Sequence, residues 1–188
     1  MIKNIKKRCA WVKPGDGLYE AYHDTEWGVL VYDDQKIFEF LVLESAQAGL
    51  SWLTVLRKRE NYRKAFAGFN PLKVARFTAK DVKKLLGNAG IIRNRMKIEA
   101  AINNAQRFLE IKKEFGAFSK YIWRFVGGKP VKNRWKTIKE LPVTTAQAEA
   151  LAKDLNKRGF KVLGPTVIYA HMQATGMVND HTVDCFRY

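Results

Sequence analysis

Residues 78–109, TAKDVKKLLGNAGIIRNRMKIEAAINNAQRFL, decide the fold class that this sequence predicts. Thr78 and Asp81 have the spacing of a capping box, a pattern that marks a helix start. Apolar residues at helical spacing follow, stop at the glycine-containing turn 87–90, and resume in a longer amphipathic segment. The segment of about residues 80–109 therefore predicts a helix, a hairpin turn and a second helix.

Helical patterning continues on both sides of that unit. Capping residues, apolar residues three or four apart and terminal glycines predict further helices. These begin at Asp34, cover residues 54–66, begin at the pair Asn70 and Pro71, cover residues 118–126, begin at a capping box of Thr144 with Gln147, and run from Pro165 to Gly176. Residues 127–141 are predicted to form a basic loop.

Sustained strand alternation and internal repeats are absent from the sequence. The prediction is an all-α helical bundle. A chain of 188 residues with 47% hydrophobic content is expected to bury one core, so we expect a single domain over residues 1–188.

The net charge of the chain is strongly positive. The 34 Lys and Arg residues against 18 Asp and Glu residues give +16 at pH 7, which favours a polyanionic partner. Nucleic acid fits best because 5 Trp, 7 Tyr and 11 Phe accompany the charge; the alternative is that the charge serves solubility alone. No apolar run reaches the ~18 residues of a membrane span, so we expect a cytoplasmic protein without a membrane partner. The lack of coiled-coil heptads favours a monomer with no obligate protein partner.

Glu44 is the most informative single residue. It falls on the same stripe as Ile37 and Ala48 in a helix that has almost no polar face. An unpaired carboxylate there costs free energy, so Glu44 is either held by structural hydrogen bonds or placed in a functional pocket. Residues 49–52, Gly-Leu-Ser-Trp, supply one candidate pocket wall, because glycine admits close approach and Trp52 offers a flat surface for a base.

Two cysteines and two of the 3 histidines form a second candidate site. Cys9 and His23 lie near the start, and His181 and Cys185 lie near the end. Two thiolates and two imidazoles make a tetrahedral zinc set, and four protein ligands would close the metal against substrate. The alternative is a pair of buried thiols with hydrogen-bonded histidines. A catalytic zinc is disfavoured, because neither a His-Glu-x-x-His nor a Pro-Cys-x-x-Cys pattern occurs.

The turn of the helix-hairpin-helix unit is a candidate phosphate site. Gly87 and Gly90 bound the turn, and Arg93, Arg95 and Lys97 follow it. Backbone N–H groups beside a helix N-terminus hold phosphates, and basic side chains add attraction that positions DNA without reading its sequence. The alternative is an ordinary interhelical turn with a solvated basic face.

Several longer blocks of the sequence resemble the 3-methyladenine DNA glycosylase I family. They are RCAW (8–11), AYHDTEWG (21–28), LE (43–44) with QAGLSW (47–52), GIIR (90–93), KRGFK (157–161), MQA (172–174) and VNDH (178–181). The blocks extend over nearly the whole chain, and in this order they are far more specific than one short motif. The resemblance implies an all-α member of the helix-hairpin-helix glycosylase superfamily that acts on double-stranded alkylated DNA.

The resemblance also implies which residues form the base pocket. Glu44 and Tyr22 are expected to hydrogen-bond the extruded base. Trp52 is expected to stack on it, and Trp11 and Tyr19 are expected to help to close the pocket.

The same resemblance implies one structural zinc ion per chain. The ion joins the two ends of the chain through Cys9, His23, His181 and Cys185. Leu50, beside the predicted pocket, is our candidate for an apolar wedge between base steps. His171 lies outside the metal set and is assigned a structural role.

The expected reaction is hydrolysis of the N-glycosidic bond of 3-methyladenine after the base leaves the helical stack. Alkylation at N3 makes the adenine cationic and a good leaving group, so a buried Glu44 carboxylate that prefers the cation supplies discrimination. We hypothesise that water rather than a lysine attacks the sugar, which makes the enzyme monofunctional, without strand cleavage. Glu99, the acidic residue of segment 93–101, is given no role.

Two other functions account for part of the sequence. A non-enzymatic, zinc-stabilised DNA-binding module explains the charge, the hairpin and the metal set, but leaves Glu44 unused. A zinc hydrolase or deaminase requires an open coordination position and an acid–base residue beside the metal, for which Glu26 is the nearby candidate.

Overall fold

The computed structural model describes residues 6–188, which fold mainly into α-helices. The helices of this range are α1 (Gly17–Thr25), α2 (Asp34–Gln47), α3 (Trp52–Ala65), α4 (Pro71–Val74), α5 (Ala79–Leu86), α6 (Arg95–Phe115), α7 (Phe118–Trp123), α8 (Ala146–Lys157) and α9 (Pro165–Ala174). Single turns of 3-10 helix occupy Ala67–Phe69, Arg124–Val126 and Ile138–Glu140. The predicted helical architecture is confirmed.

Helix α2 is the centre of the fold. The Asp33 side chain caps it by accepting a hydrogen bond from the Lys36 N–H, and all of residues 37–46 are buried. It packs against α3, α6, α7 and α9, so it has no face left for solvent. This explains the nearly uniform apolar pattern of its sequence and places Glu44 inside the protein.

The α5–turn–α6 unit forms where the sequence predicts it. The capping box of Thr78 and Asp81 is present, and α5 ends at Leu86 with Gly87 as its C-cap. Asn94 caps α6 by accepting from the Lys97 N–H, and Gly116 ends α6 with a φ of 80°. The same helix packs on α2, so the hairpin unit is joined directly to the helix that carries Glu44.

Several details of the helices differ from the sequence prediction. The helix expected over 54–66 begins at Trp52, because the Ser51 side chain caps it. The capping box of Thr144 with Gln147 is wrong by one residue, since the N-cap is Thr145, whose hydroxyl accepts from the Ala148 N–H. The segment 118–126 divides into α7 and a 3-10 turn. Helix α1 was not predicted, although Asp16 caps it in the same way.

Two short strands connect the basic loop to the segment that precedes His181 and Cys185. Strand β1 (Val131–Lys132) runs parallel to β2 (Val178–Asn179), with Val131 opposite Val178 and Lys132 opposite Asn179. With two residues each, these strands are too short to give a sequence signal of strand alternation. Their pairing brings the loop 127–141 close to the segment that contains His181.

Two apolar clusters form the interior. The larger one is built from α2 through α9, and the smaller one joins α1, α2, α3 and the end of α9. The smaller cluster includes Cys9, Tyr22, Trp27 and Cys185, so the candidate metal set and the candidate pocket share one region. Among residues 6–188, no helix combines the length and the apolarity that a membrane crossing needs.

Candidate active site and metal centre

A cavity of about 210 Å³ lies between α1, α2, α3 and α9. Its walls are formed by Trp11, Tyr19, Tyr22, Trp27, Glu44, Gln47, Trp52, Ile138, Leu141, Ala170 and Gln173. All five residues expected to form a base pocket are therefore brought together. At roughly 30 Å³ per water molecule, the cavity has room for a small planar molecule.

Glu44 is the acidic residue of this cavity. The residue is only 4% exposed, and no donor among residues 6–188 forms a hydrogen bond to its carboxylate. Burial raises the pKa of Glu44 to about 8. The carboxyl group is thus mostly protonated at neutral pH in the empty pocket, and it ionises readily only when a positive charge arrives.

Tyr22 and Trp52 form the aromatic walls beside Glu44. Their ring centroids lie 5.3 Å apart at an interplanar angle of 49°. Burial raises the pKa of Tyr22 well above its ordinary value, and the nearby Glu44 adds to the shift, so Tyr22 remains a neutral phenol. The Trp52 Nε1–H is buried without a hydrogen-bond partner within the described part of the chain. The pocket therefore contains polar atoms that the protein itself leaves unsatisfied.

Helix α1 supplies one side of the pocket and is held against α3. Tyr19 and Tyr22 lie one turn apart on α1, and the Trp11 ring lies 5.0 Å from that of Tyr19. Asp16 accepts the Tyr19 N–H and also pairs with Arg57 of α3, with an Nη2–Oδ2 distance of 2.8 Å. The N-cap residue thus starts the helix and fixes its position.

Glu26 is engaged in ion pairs behind the pocket. Both oxygens accept from the Arg59 guanidinium at 2.8 Å, and Lys36 donates to one of them at 3.2 Å. Burial alone would raise the pKa of Glu26, but the hydrogen bonds and charge of Arg59 outweigh burial and lower it. A carboxylate held in this way is poorly suited to act as the acid–base group of a zinc hydrolase or deaminase.

The four predicted metal ligands converge. The ligand atoms of Cys9, His23, His181 and Cys185 all lie within 4.8 Å of one another, and all four residues are buried. Cys185 Sγ lies 3.4 Å from His23 Nε2 and 3.5 Å from His181 Nδ1. Sulfur and nitrogen ligands at ordinary zinc distances of ~2.3 and ~2.05 Å are about 3.6 Å apart in a tetrahedron. The donor set and its spacing therefore fit a four-coordinate metal ion.

The outer nitrogens of the two histidines are also engaged. His23 Nδ1 lies 2.9 Å from Asp24 Oδ1, and Asp24 in turn accepts two hydrogen bonds from Arg8. His181 Nε2 lies 3.1 Å from the carbonyl oxygen of Trp27. Such partners fix the orientation of metal-binding imidazoles. Burial raises the pKa of the Cys9 thiol to about 12, so a bound cation is what would make this group a thiolate.

Leu50 occupies the turn between α2 and α3. It is 41% exposed, and the preceding Gly49 has a φ of 81°, which favours glycine. A second cavity of about 190 Å³ lies beside Leu50 and shares Glu44, Gln47 and Ala170 with the first. The turn is thus next to the pocket and presents an apolar side chain to solvent.

The hairpin turn 87–94 uses some of its own N–H groups. The Gly90 N–H donates to Asn88 Oδ1 at 2.8 Å, and the Ile92 N–H donates to the Tyr62 hydroxyl at 3.1 Å. Position 90 favours glycine because a Cβ there would lie 3.0 Å from side-chain atoms of Asn61. Arg93 and Arg95 are exposed beside the turn, whereas Lys97 is only half-exposed.

Several pocket residues were missed by sequence reasoning. Gln47, one turn after Glu44, could have been found from helical spacing, but Ile138 and Leu141 come from the basic loop and carry no such signal. The buried Asp180 fastens that loop. It accepts hydrogen bonds from Asn133, Trp135, Tyr169 and Gln173.

His171 lies in the core, with no exposed surface. Neither ring nitrogen has a hydrogen-bond partner in the described chain, and burial lowers the pKa of His171 to about 3. The same helix contributes Ala170 and Gln173, but not His171, to the pocket. This placement agrees with a structural role.

Comparison with known proteins relates this architecture to DNA repair enzymes. Residues 11–188 match the model of a family described as methyladenine glycosylase. The DNA-3-methyladenine glycosylase 1 of Escherichia coli strain K12 is 50% identical over 182 residues, which cover 97% of each chain.

Two solved structures have the same fold. A crystal structure of 3-methyladenine DNA glycosylase I superposes with a TM-score of 0.93 at 49% identity, covering 96% of this chain and 98% of the other. A variant of a 3-methyladenine DNA glycosylase I, crystallised in complex with 3-methyladenine, superposes with a TM-score of 0.92 at 40% identity, covering 95% and 96%.

Proposed function

Because this chain belongs to the methyladenine glycosylase family, we propose that it hydrolyses the N-glycosidic bond of 3-methyladenine in alkylated double-stranded DNA. The protein is a DNA glycosylase of base excision repair. One observation carries the substrate assignment. A buried carboxyl group that has no hydrogen-bond partner among residues 6–188 faces a cavity that is walled by aromatic rings.

Recognition of the base rests on charge. An N3-alkylated adenine in DNA is a cation, whereas ordinary adenine is neutral. When the cation enters, Glu44 loses its proton, and the resulting carboxylate is stabilised by the positive charge of the base. Without that charge, burial disfavours the ionised form. Tyr22 donates to the base, and the Trp52 ring offers a face for a cation–π contact. Neutral adenine gains none of the charge stabilisation, so the pocket discriminates against it.

The chemical step needs little acid catalysis. As the bond between sugar and base breaks, its electron pair neutralises the cationic base, and a water molecule adds to the sugar carbon and loses a proton. No lysine lies among the described residues that line the cavity. This supports attack by water and a monofunctional enzyme that leaves the strand intact.

The surface around the pocket supports a mode of DNA binding. We assign α5, the turn and α6 as the helix-hairpin-helix unit, in which Gly87 and Gly90 shape the turn. Arg93 and Arg95 are exposed where they attract phosphates. Leu50 is placed to fill the gap that an extruded base leaves in the duplex.

The metal ion in this proposal is structural zinc, held by Cys9, His23, His181 and Cys185. Four protein ligands leave no open position for substrate, so the ion supplies cross-linking of the fold rather than chemistry. Trp11 and Tyr19 complete the pocket close to this site. A monomer acting on DNA in the cytoplasm accounts for these features without a protein partner.

The test is release of free base from methylated duplex DNA, with 3-methyladenine resolved from 7-methylguanine by chromatography. We expect selective release of 3-methyladenine by the wild-type protein. Glu44→Gln should lower the rate about 100-fold, the usual cost of removing one preorganised electrostatic group, while binding to DNA persists. Glu149→Gln, which changes an exposed carboxylate on α8, is the matched control and should retain the wild-type rate.

Two results would overturn the proposal. Binding of DNA without release of base by the wild-type protein would leave a DNA-binding module. Equal release by the wild-type protein and Glu44→Gln would remove Glu44 from the reaction.

A further inference from the structure

The side chain of Lys97 is half-exposed, and its ammonium group turns toward the backbone at the end of α2. Its Nζ donates to the carbonyl oxygen of Ala46 at 2.8 Å and to that of Ala48 at 2.6 Å. Lys97 is the third residue of α6, immediately after the hairpin turn, and both acceptors lie at the end of α2. One ammonium group thus connects the hairpin unit to the helix that carries Glu44.

The end of α2 needs such a donor. The last carbonyl groups of a helix have no partner within the helix and carry partial negative charge. The last turn of α2 contains no basic residue, and at Ala48 the backbone leaves the helix with φ of −44° and ψ of 116°. Lys97 supplies from another helix the cation that α2 lacks.

The carbonyl groups that Lys97 holds are next to the functional residues. Ala48 directly precedes Gly49 and Leu50, the exposed turn beside the pocket. Glu44 and Gln47 lie in the last turn of the same helix and line the pocket. A displacement of the α2 end would therefore move Leu50 and tilt Glu44.

We propose that Lys97 is a positioning residue that couples phosphate binding at the hairpin to insertion of Leu50 and alignment of Glu44. This inference rests on the proposed function. DNA held at Arg93 and Arg95 fixes the start of α6, and Lys97 transmits that position to the turn 48–50. Partial burial lowers the pKa of Lys97, which agrees with an ammonium group that packs against backbone carbonyl groups.

The experiment compares four variants of the full chain. Lys97→Met removes the donor, and Lys97→Arg restores a donor of the same charge. Arg93→Met removes a charge from the phosphate-binding surface, and Lys153→Met removes an exposed charge from α8. For each we would measure single-turnover release of 3-methyladenine from methylated duplex at saturating protein, the salt dependence of binding to unmodified duplex, and quenching of tryptophan fluorescence by free 3-methyladenine.

For Lys97→Met we expect the single-turnover rate to fall about 10- to 100-fold, the effect of a misplaced reacting group. The slope of log K against log salt should stay at the wild-type value, and affinity for the free base should change less than about threefold, since the pocket walls remain. Lys97→Arg should recover most of the rate. For Arg93→Met we expect a slope smaller by about one unit, and for Lys153→Met no change in the rate.

The opposite pattern would overturn the inference. If Lys97→Met reduces the salt slope as Arg93→Met does and keeps the saturated rate, Lys97 is a phosphate contact. If Lys97→Met loses binding of the free base together with the rate, and Lys97→Arg does not restore them, its role is general stability of the pocket. Absence of base release by the wild-type protein would instead defeat the proposed function, which separates the two failures.

Discussion

The candidate metal cluster, formed by Cys9, His23, His181 and Cys185, and the aromatic pocket are neighbours whose polar atoms differ in how they are paired. His23 of the cluster and Tyr22 of the pocket are consecutive residues on α1. In the cluster, the ligand atoms face one another and the outer histidine nitrogens meet Asp24 and the Trp27 carbonyl. In the pocket, Glu44 and the Trp52 Nε1–H have no partner within residues 6–188.

This difference separates a site that stabilises the fold from a site that awaits a ligand. A buried polar group without a partner costs about 1–3 kcal/mol, so Glu44 and the Trp52 Nε1–H lower the free energy of unfolding of the native state. A metal ion added to a preformed set of ligands raises it. Removing groups from the two sites should therefore have opposite effects on the free energy of unfolding.

The largest effect is expected for loss of a metal ligand. We expect His181→Ala to lower the free energy of unfolding by at least ~3 kcal/mol, a fall of about 10 °C in Tm for a domain of this size, because metal-binding energy is folding energy. Thermal unfolding and the metal content per chain would be measured together. Unchanged stability in a variant that has lost its metal would show that the cluster does not hold the fold together.

An effect of opposite sign is expected for Glu44→Gln. The pKa of Glu44 is raised from 4.5 to about 8 in the folded chain. The protonated Glu44 therefore contributes to the free energy of unfolding. This contribution is fully present below pH 4.5 and is lost as the pH rises through 8. Glu44→Gln should nearly match the wild-type protein near pH 4 and exceed its free energy of unfolding at pH 9 by up to about 5 kcal/mol, since ~1.4 kcal/mol accompanies each pKa unit between 4.5 and 8.

Denaturant unfolding at several pH values would check this prediction. A difference between the two proteins that does not change with pH would mean that the folded chain provides Glu44 with a partner. The polar atoms of the pocket would then be paired within the protein, as those of the candidate metal cluster are.

The smallest effect concerns His171, whose ring nitrogens have no hydrogen-bond partner in the described part of the chain although the residue lies outside the pocket. Its pKa falls from 6.5 to about 3 in the folded chain. Below pH 6.5, His171 is protonated in the unfolded chain but stays neutral in the folded chain. The free energy of unfolding therefore decreases as the pH falls from 6.5 toward 3. His171→Leu should therefore gain about 2 kcal/mol over the wild-type protein at pH 5.

The readouts for His171→Leu are unfolding at pH 5 and pH 7 and base release at pH 7, which should not change. Loss of base release in this variant would show that the imidazole of His171, although it lies in the core, also contributes to the reaction.

Local signals in the sequence were sufficient for most of the fold. A capping box at Thr78 and Asp81 places α5 because its hydrogen bonds involve neighbours in the chain. The box predicted at Thr144 failed because Thr145 offers the same chemistry one residue later, and apolar spacing does not distinguish the two. Helix α1, with nine residues, is too short for its periodicity to stand out.

The site was less predictable where distant segments meet. The position of Ile138 over the pocket depends on hydrogen bonds from Asn133 and Trp135 to Asp180, which no local pattern reveals. The sequence shows that Lys97 carries a charge after a hairpin turn. It does not show that the carbonyl groups of Ala46 and Ala48 lie beside that charge.

The metal cluster also has a consequence for the order of events in folding. Cys9 and His181 meet across a sequence separation of 172 residues, and the entropy cost of closing a loop rises with its length. Contacts between helices that are neighbours in the chain, such as α6 with α7, join residues closer in sequence and cost less entropy to form. The wall that Tyr22 supplies lies directly beside the long closure. We therefore expect the chain to become compact before its pocket is complete.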